Sequence, residues 1–159
     1  GYNENSSYLI PLQKMVNYEE EYGKRIKFAV WRDPLERITS TYKFFCMERE
    51  YRVYFHYLGL FEDNSFDRFM QLLEFEWQKS NPLLQDEHIR KQSDYYRPRD
   101  VDYIVPIHKI YDFLFDNKVT FIKEQSNKTN THFLIENKQY IDRIRDYYHS
   151  DWDIKCNYI

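Results

Sequence analysis

Apolar positions divide the chain into short strand-like runs and longer stretches at helical spacing. Ile26 to Trp31 is a nearly continuous apolar run, the pattern of a strand buried on both faces. Asp33-Pro34-Leu35-Glu36 follows it and predicts a helix start. Asp33 suits the N-cap, Pro34 the first helical position, and Glu36 can bond back as in a capping box. Leu35, Ile38, Tyr42 and Phe45 recur at helical spacing and predict one apolar face. Phe44 to Tyr57 continues this helix or begins another, with Met47, Tyr51, Tyr54, Phe55 and Leu58 on its apolar side and Gly59 as the stop.

Ser65 is the predicted N-cap of a further helix, whose Phe66, Phe69, Met70, Leu72, Leu73 and Trp77 form a core-facing stripe ended before Pro82. Val101 to Ile107 is the second buried-strand candidate, closed by Pro106. Ile110, Phe113, Leu114 and Phe115 open another helix, and Val119 to Ile122 reads as a short strand. Asn137 to Trp152 reads as the last amphipathic helix, with Ile141, Ile144, Tyr147 and Tyr148 inward. Strands alternating with helices give the fold class α/β, a parallel sheet flanked by helices.

Composition changes this picture little. A length of 159 residues suits one domain with a real core, and three glycines leave no linker tract. The formal net charge of −3 announces no nucleic-acid partner, so any anion-binding surface has to be local. Two cysteines, Cys46 and Cys156, make neither a disulfide framework nor metal-ligand spacing. No run approaches the roughly 18 apolar residues of a membrane span, and the N-terminus shows no secretory pattern. A soluble protein of a reducing compartment is expected.

Two polar residues stand where a buried strand and its helix do not need them. Arg32 closes the strand and Ser40 lies about two turns into the helix. Open parallel sheets bind ligands at the carboxyl ends of their strands, and an Arg with a nearby hydroxyl can hold a phosphate there. The alternative is an Arg32–Asp33 pair and a Ser40 bonded to its own helix backbone.

Arg32-Asp33-Pro34, Arg37, Ser40 and Tyr42 also match the R-D-P-x-x-R-x-x-S-x-Y motif of sulfotransferases that use 3′-phosphoadenosine 5′-phosphosulfate (PAPS). The chain most resembles the carbohydrate sulfotransferases of the chondroitin and related bacterial type. The resemblance implies that Arg32 and Ser40 grip the nucleotide 3′-phosphate, with Arg37 in support. It also implies a P-loop-NTPase-like sulfotransferase fold. The family's opening strand, K-x-x-G-T/S loop and helix have no counterpart: Lys14 lacks the Gly and Thr/Ser that should follow it. The expectation is therefore one domain over 1–159, without the first βα unit.

Asp86 to Tyr96 (DEHIRKQSDYY) resembles the family's H-W-x-P-Q-S-D segment, with His88, Gln92, Ser93 and Asp94 at matching positions. Tyr95 and Tyr96 stand where secretory-pathway relatives tend to carry cysteine, which agrees with a cytoplasmic home, the Golgi lumen being the alternative for a eukaryotic chain. Ser126 to Asn130 resembles a polar segment that lies near the nucleotide in the family. The closing RDYYHSDWDI resembles its L-Y-x-x-D-x-x-L/F helix.

The implied reaction moves a sulfo group from PAPS to a carbohydrate hydroxyl, with no metal required. An imidazole can take a hydroxyl proton near neutral pH, which makes His88 the candidate base. Asp86 and Glu87 adjoin it, either to orient the ring or to serve as the base themselves. Gln92 is the expected acceptor contact. Arg90, with Lys91, Arg97 and Arg99, makes a basic patch for an anionic glycan, or else a solvated loop. A non-catalytic nucleotide- or glycan-binding module and a P-loop kinase relative are the rival functions.

Overall fold

The computed structural model describes residues 25–48, 63–119 and 132–158. The expectations for Lys14, for the helix beyond Glu48, for Thr120 to Ile122 and for the Ser126–Asn130 loop lie outside them.

Strand β1 (Phe28–Trp31) pairs in parallel with β2 (Tyr103–Pro106), in the register Phe28↔Tyr103 to Trp31↔Pro106. Parallel neighbours need a crossover, and here it carries helices α1 (Pro34–Tyr42) and α2 (Phe66–Trp77). After β2 come α3 (Ile110–Asp116), α4 (Lys138–Tyr147) and α5 (His149–Trp152). The mixed helical and parallel-strand pattern agrees with α/β at this level.

The sheet departs from expectation in its burial. β1 alternates between exposed and half-buried positions, with Phe28 40% and Val30 37% exposed. Its backbone is paired with one strand among the described residues, so only one side is covered by a ladder. The outer edge of β2 is met by Asn157 and Tyr158. Asn157 Oδ1 accepts from Ile104 N–H (2.6 Å), and Asn157 N–H returns a bond to the Ile104 carbonyl (3.2 Å).

The caps behave as the sequence predicts. Asp33 Oδ1 accepts from Glu36 N–H (3.0 Å) and Ser65 Oγ from Arg68 N–H (3.2 Å). Only half of the capping box forms at α1, since exposed Glu36 makes no return bond. At its far end α1 widens into a π-helical turn, Lys43–Met47. The predicted last helix breaks at Tyr148, leaving α4 and the single turn of α5.

The core lies among α1, the π turn, α2 and α4. Ile38, Phe45, Phe69, Leu73, Ile144 and Tyr148 are each fully buried, as is Ile89 from the loop between α2 and β2. That loop is irregular, yet side chains hold its backbone at several points. Tyr148 Oη donates to the Ile89 carbonyl, and Glu76 Oε2 accepts from Asp86 N–H (2.7 Å). The buried Asp151 carboxylate takes Gln92 N–H (2.8 Å) and Ser93 N–H (2.9 Å).

Removing a buried acceptor strands its donors, at a cost of about 1–3 kcal/mol for each. Asp151→Ala leaves two, so urea unfolding should show a loss of about 2–6 kcal/mol. Arg143→Ala, which breaks only the exposed pair with Glu74 (2.6 Å), should leave the midpoint close to wild type.

Candidate functional site

Arg32 follows the last residue of β1, at the carboxyl end of the strand. Its main chain is pinned by Gln92, whose Oε1 accepts from Arg32 N–H (2.9 Å) while its Nε2 donates to the Arg32 carbonyl (2.8 Å). Trp31 Nε1 donates to the Asp151 carbonyl (2.8 Å) and fixes the preceding residue. The half-buried Arg32 side chain then projects into a cleft of about 290 Å³ that is also lined by Arg37, Ser40, Thr41, Phe44, Glu87 and His88. A second cleft, about 280 Å³, shares Arg32 and Ser40 and is bordered by Leu35, Lys43, Leu134 and Ile135.

Neither structural alternative for Arg32 and Ser40 is seen. Asp33 is engaged elsewhere, by Glu36 N–H and by Trp152 Nε1 (3.0 Å), and Arg32 makes no ion pair among the described residues. Its Nε is buried without a partner. Burial holds the guanidinium's pKa below its ordinary value, with Glu36 and Asp33 opposing and Arg37 reinforcing the shift. Thr39 and Thr41 bond back to the Leu35 and Arg37 carbonyls (2.8 and 3.0 Å). Ser40 Oγ, between them, makes no such bond and remains available to the cleft.

Arg37 lines the cleft but is committed to the loop. Nη1 donates to the Arg90 carbonyl (2.6 Å) and Nη2 to the Glu87 carbonyl (3.0 Å). Thr41 Oγ1 reaches the His88 carbonyl (3.4 Å), and Tyr95 Oη donates to that of Glu87 (2.7 Å). These bonds set His88 against the π turn. Its ring stacks on Phe44 at 5.6 Å and meets Phe45 edge-on at 5.3 Å. Nδ1 lies 3.0 Å from Asp86 Oδ1, which also accepts from His88 N–H (2.9 Å). Burial raises the Asp86 carboxyl, but the bonds from His88 and the charges of His88 and Lys79 outweigh it, so the net shift is downward.

Two expected ligand contacts are placed elsewhere. Gln92 is buried, does not line the cleft, and spends both amide atoms on the Arg32 backbone. Arg90 is 8% exposed, and its Nη2 donates to the Leu83 and Gln85 carbonyls (3.2 Å each). The expected basic patch also disperses: Lys91 lies over the Tyr147 ring at 4.3 Å, and Arg97 pairs with Asp100 at 2.6 Å. Sequence reasoning missed Asp151 and Phe44. Asp151 had a signal in the spacing Tyr148, Asp151, Ile154, three residues apart, which gives three buried positions. Among the described residues no group of His, Cys, Asp and Glu could hold a metal ion, and no helix is long and apolar enough to cross a membrane.

No protein-family model, curated protein or solved structure matches the chain, so any functional reading stands on these residues and their geometry.

A carboxyl with a lowered folded pKa binds fewer protons than its unfolded counterpart, so its stabilisation is complete above the unfolded value and fades as pH falls through the folded one. Unfolding midpoints measured downward from about pH 4, the ordinary carboxyl value, should fall with pH. In Asp86→Asn that fall should be shallower. Equal slopes in the two proteins would show that Asp86 is not stabilised as an anion.

Proposed function

We propose that the chain binds a phosphate monoester of a nucleotide at Arg32 and Ser40, and that it serves as a PAPS-dependent carbohydrate sulfotransferase of P-loop-like fold. The observation that carries the reading is that Arg32, whose buried Nε has no partner, lines one cleft with Ser40, whose hydroxyl makes no bond back to its helix. Burying a guanidinium N–H without an acceptor is costly, and a phosphate oxygen would supply the missing partner. At about 290 Å³ the cleft suits part of a nucleotide, so the fit concerns the phosphate end of the donor.

The resemblance over Arg32 to Tyr42 supplies the donor's identity and makes the phosphate the 3′ one. The group to be moved is then a sulfo group. The acceptor's O–H bond breaks and its oxygen bonds to sulfur. The sulfur–oxygen bond to the nucleotide breaks with its electron pair, leaving adenosine 3′,5′-bisphosphate. His88 receives the proton and later releases it to water. Glu87 borders the same cleft and is the rival acceptor of that proton. Arg37 holds the loop that carries both.

Calorimetry with adenosine 3′,5′-bisphosphate tests the phosphate site. Losing a charged hydrogen bond costs about 1.5–3 kcal/mol, so Arg32→Ala should weaken binding by roughly 10- to 100-fold and Ser40→Ala by a few-fold. Adenosine 5′-monophosphate should bind poorly to the wild type, whereas equal binding of ATP with magnesium would favour a kinase relative. Sulfo transfer from PAPS to unsulfated chondroitin then separates an enzyme from a binding module: bisphosphate binding without transfer would leave the module.

A further inference from the structure

The loop from Asp86 to Gln92 sets the Asp86 carboxylate against the His88 imidazole, and the π turn sets two aromatic rings against that imidazole at the cleft. Asp86 Oδ1 receives the His88 backbone N–H (2.9 Å) and lies 3.0 Å from Nδ1, so one oxygen anchors both the turn and the ring. The Phe44 face and the Phe45 edge limit rotation about the remaining bonds. The π turn makes this possible, because it brings two consecutive residues to the same imidazole. Asp86 is itself held: Glu76 Oε2 accepts its N–H, and Ile89 and Arg90 donate to its carbonyl (3.0 and 2.9 Å).

A carboxylate acceptor at Nδ1 requires the proton to be on that nitrogen. The neutral ring then carries its lone pair on Nε2, the nitrogen with no hydrogen-bond partner among the described residues. His88 lines the cleft with Arg32 and Ser40. Within the sulfo-transfer reading, we propose that Asp86 is a positioning residue that fixes the Nδ1–H tautomer of His88, so that Nε2 is the atom that takes the acceptor's hydroxyl proton. The acceptor O–H bond breaks as the Nε2–H bond forms, and its electron pair stays on the oxygen that attacks sulfur. The Nδ1 proton does not move. The imidazolium so formed sits beside a carboxylate that remains ionised.

This assigns Asp86 and His88 different roles. It also sets Glu87 aside as the base, since its backbone carbonyl is bound by Arg37 and Tyr95 while its exposed side chain has no partner among the described residues to orient it.

The test is long-range proton–nitrogen NMR of the full chain with ¹⁵N-labelled imidazoles, at a pH where the ring is neutral. Wild type should show His88 as the Nδ1–H form. Asp86→Asn can donate to Nδ1 as well as accept from it, and should move the ring toward Nε2–H. Asp86→Ser keeps an acceptor for the His88 backbone N–H, and so separates loss of the turn from loss of the ring's partner. In both variants the Kd for adenosine 3′,5′-bisphosphate should stay within about twofold, since Arg32 and Ser40 are untouched. The kcat for transfer from PAPS should drop about tenfold or more with the donor KM little changed. An Nε2–H ring in wild type, or an unchanged tautomer in both variants, would overturn the assignment. Absence of transfer by wild type would instead remove the sulfo-transfer reading, while the tautomer result would still decide what Asp86 does.

Discussion

The Gln92 side-chain amide meets the backbone of Arg32 as a neighbouring strand would, accepting its N–H and donating to its carbonyl. Gln92 is in turn held at its own N–H by Asp151, a carboxylate with no exposed surface. Through these two residues the end of β1, the loop after α2 and the start of α5 are tied at one point. Buried polar groups of this kind fix a unique arrangement because every alternative leaves donors unsatisfied. The loop from Asp86 to Lys91 shows the same economy. Arg37, Thr41, Tyr95 and Tyr148 bind four of its carbonyls from outside it.

That bracing leaves a small set of groups unspent. Arg37 and Gln92 are consumed in holding the backbone, and Arg90 spends Nη2 on it, its Nε being buried without a partner like that of Arg32; of these two only Arg32 lines the cleft with Ser40. The contrast with Thr39 and Thr41, both bonded back to their helix, makes Ser40 distinct on its own face of α1. A positive charge kept partly out of water with no carboxylate in contact is costly, and a ligand anion would offset that cost. The candidate site is thus defined by what the scaffold declines to use.

Much of the scaffold was legible in the sequence because it follows local rules. Asp33 and Ser65 cap their helices, and the Ile38–Tyr42–Phe45 and Phe69–Leu73 stripes are core. The placement of Arg32 and Ser40 on one cleft followed from a strand end and a position about two turns into the next helix. What could not be read were contacts between segments far apart in the chain. Nothing local distinguishes a Gln that touches a ligand from one that pairs with a strand 60 residues away. The placement of Arg90 was illegible for the same reason, since a run of basic residues gives no sign of which one turns inward to carbonyls. The apolar run Ile26–Trp31 has the pattern of a strand buried on both faces, but an apolar run records what a residue tolerates, and burial depends on which neighbours cover it.

The central claim is that Arg32 is a phosphate-monoester ligand held ready by Gln92 and Asp151. Its most direct test is the side-chain Nε–H resonance of Arg32, followed by proton–nitrogen correlation during titration with adenosine 3′-monophosphate and, separately, adenosine 5′-monophosphate. A saturable downfield shift with the 3′ ester, absent with the 5′ ester, is the predicted result. An Arg32 signal that ignores both nucleotides would contradict the account.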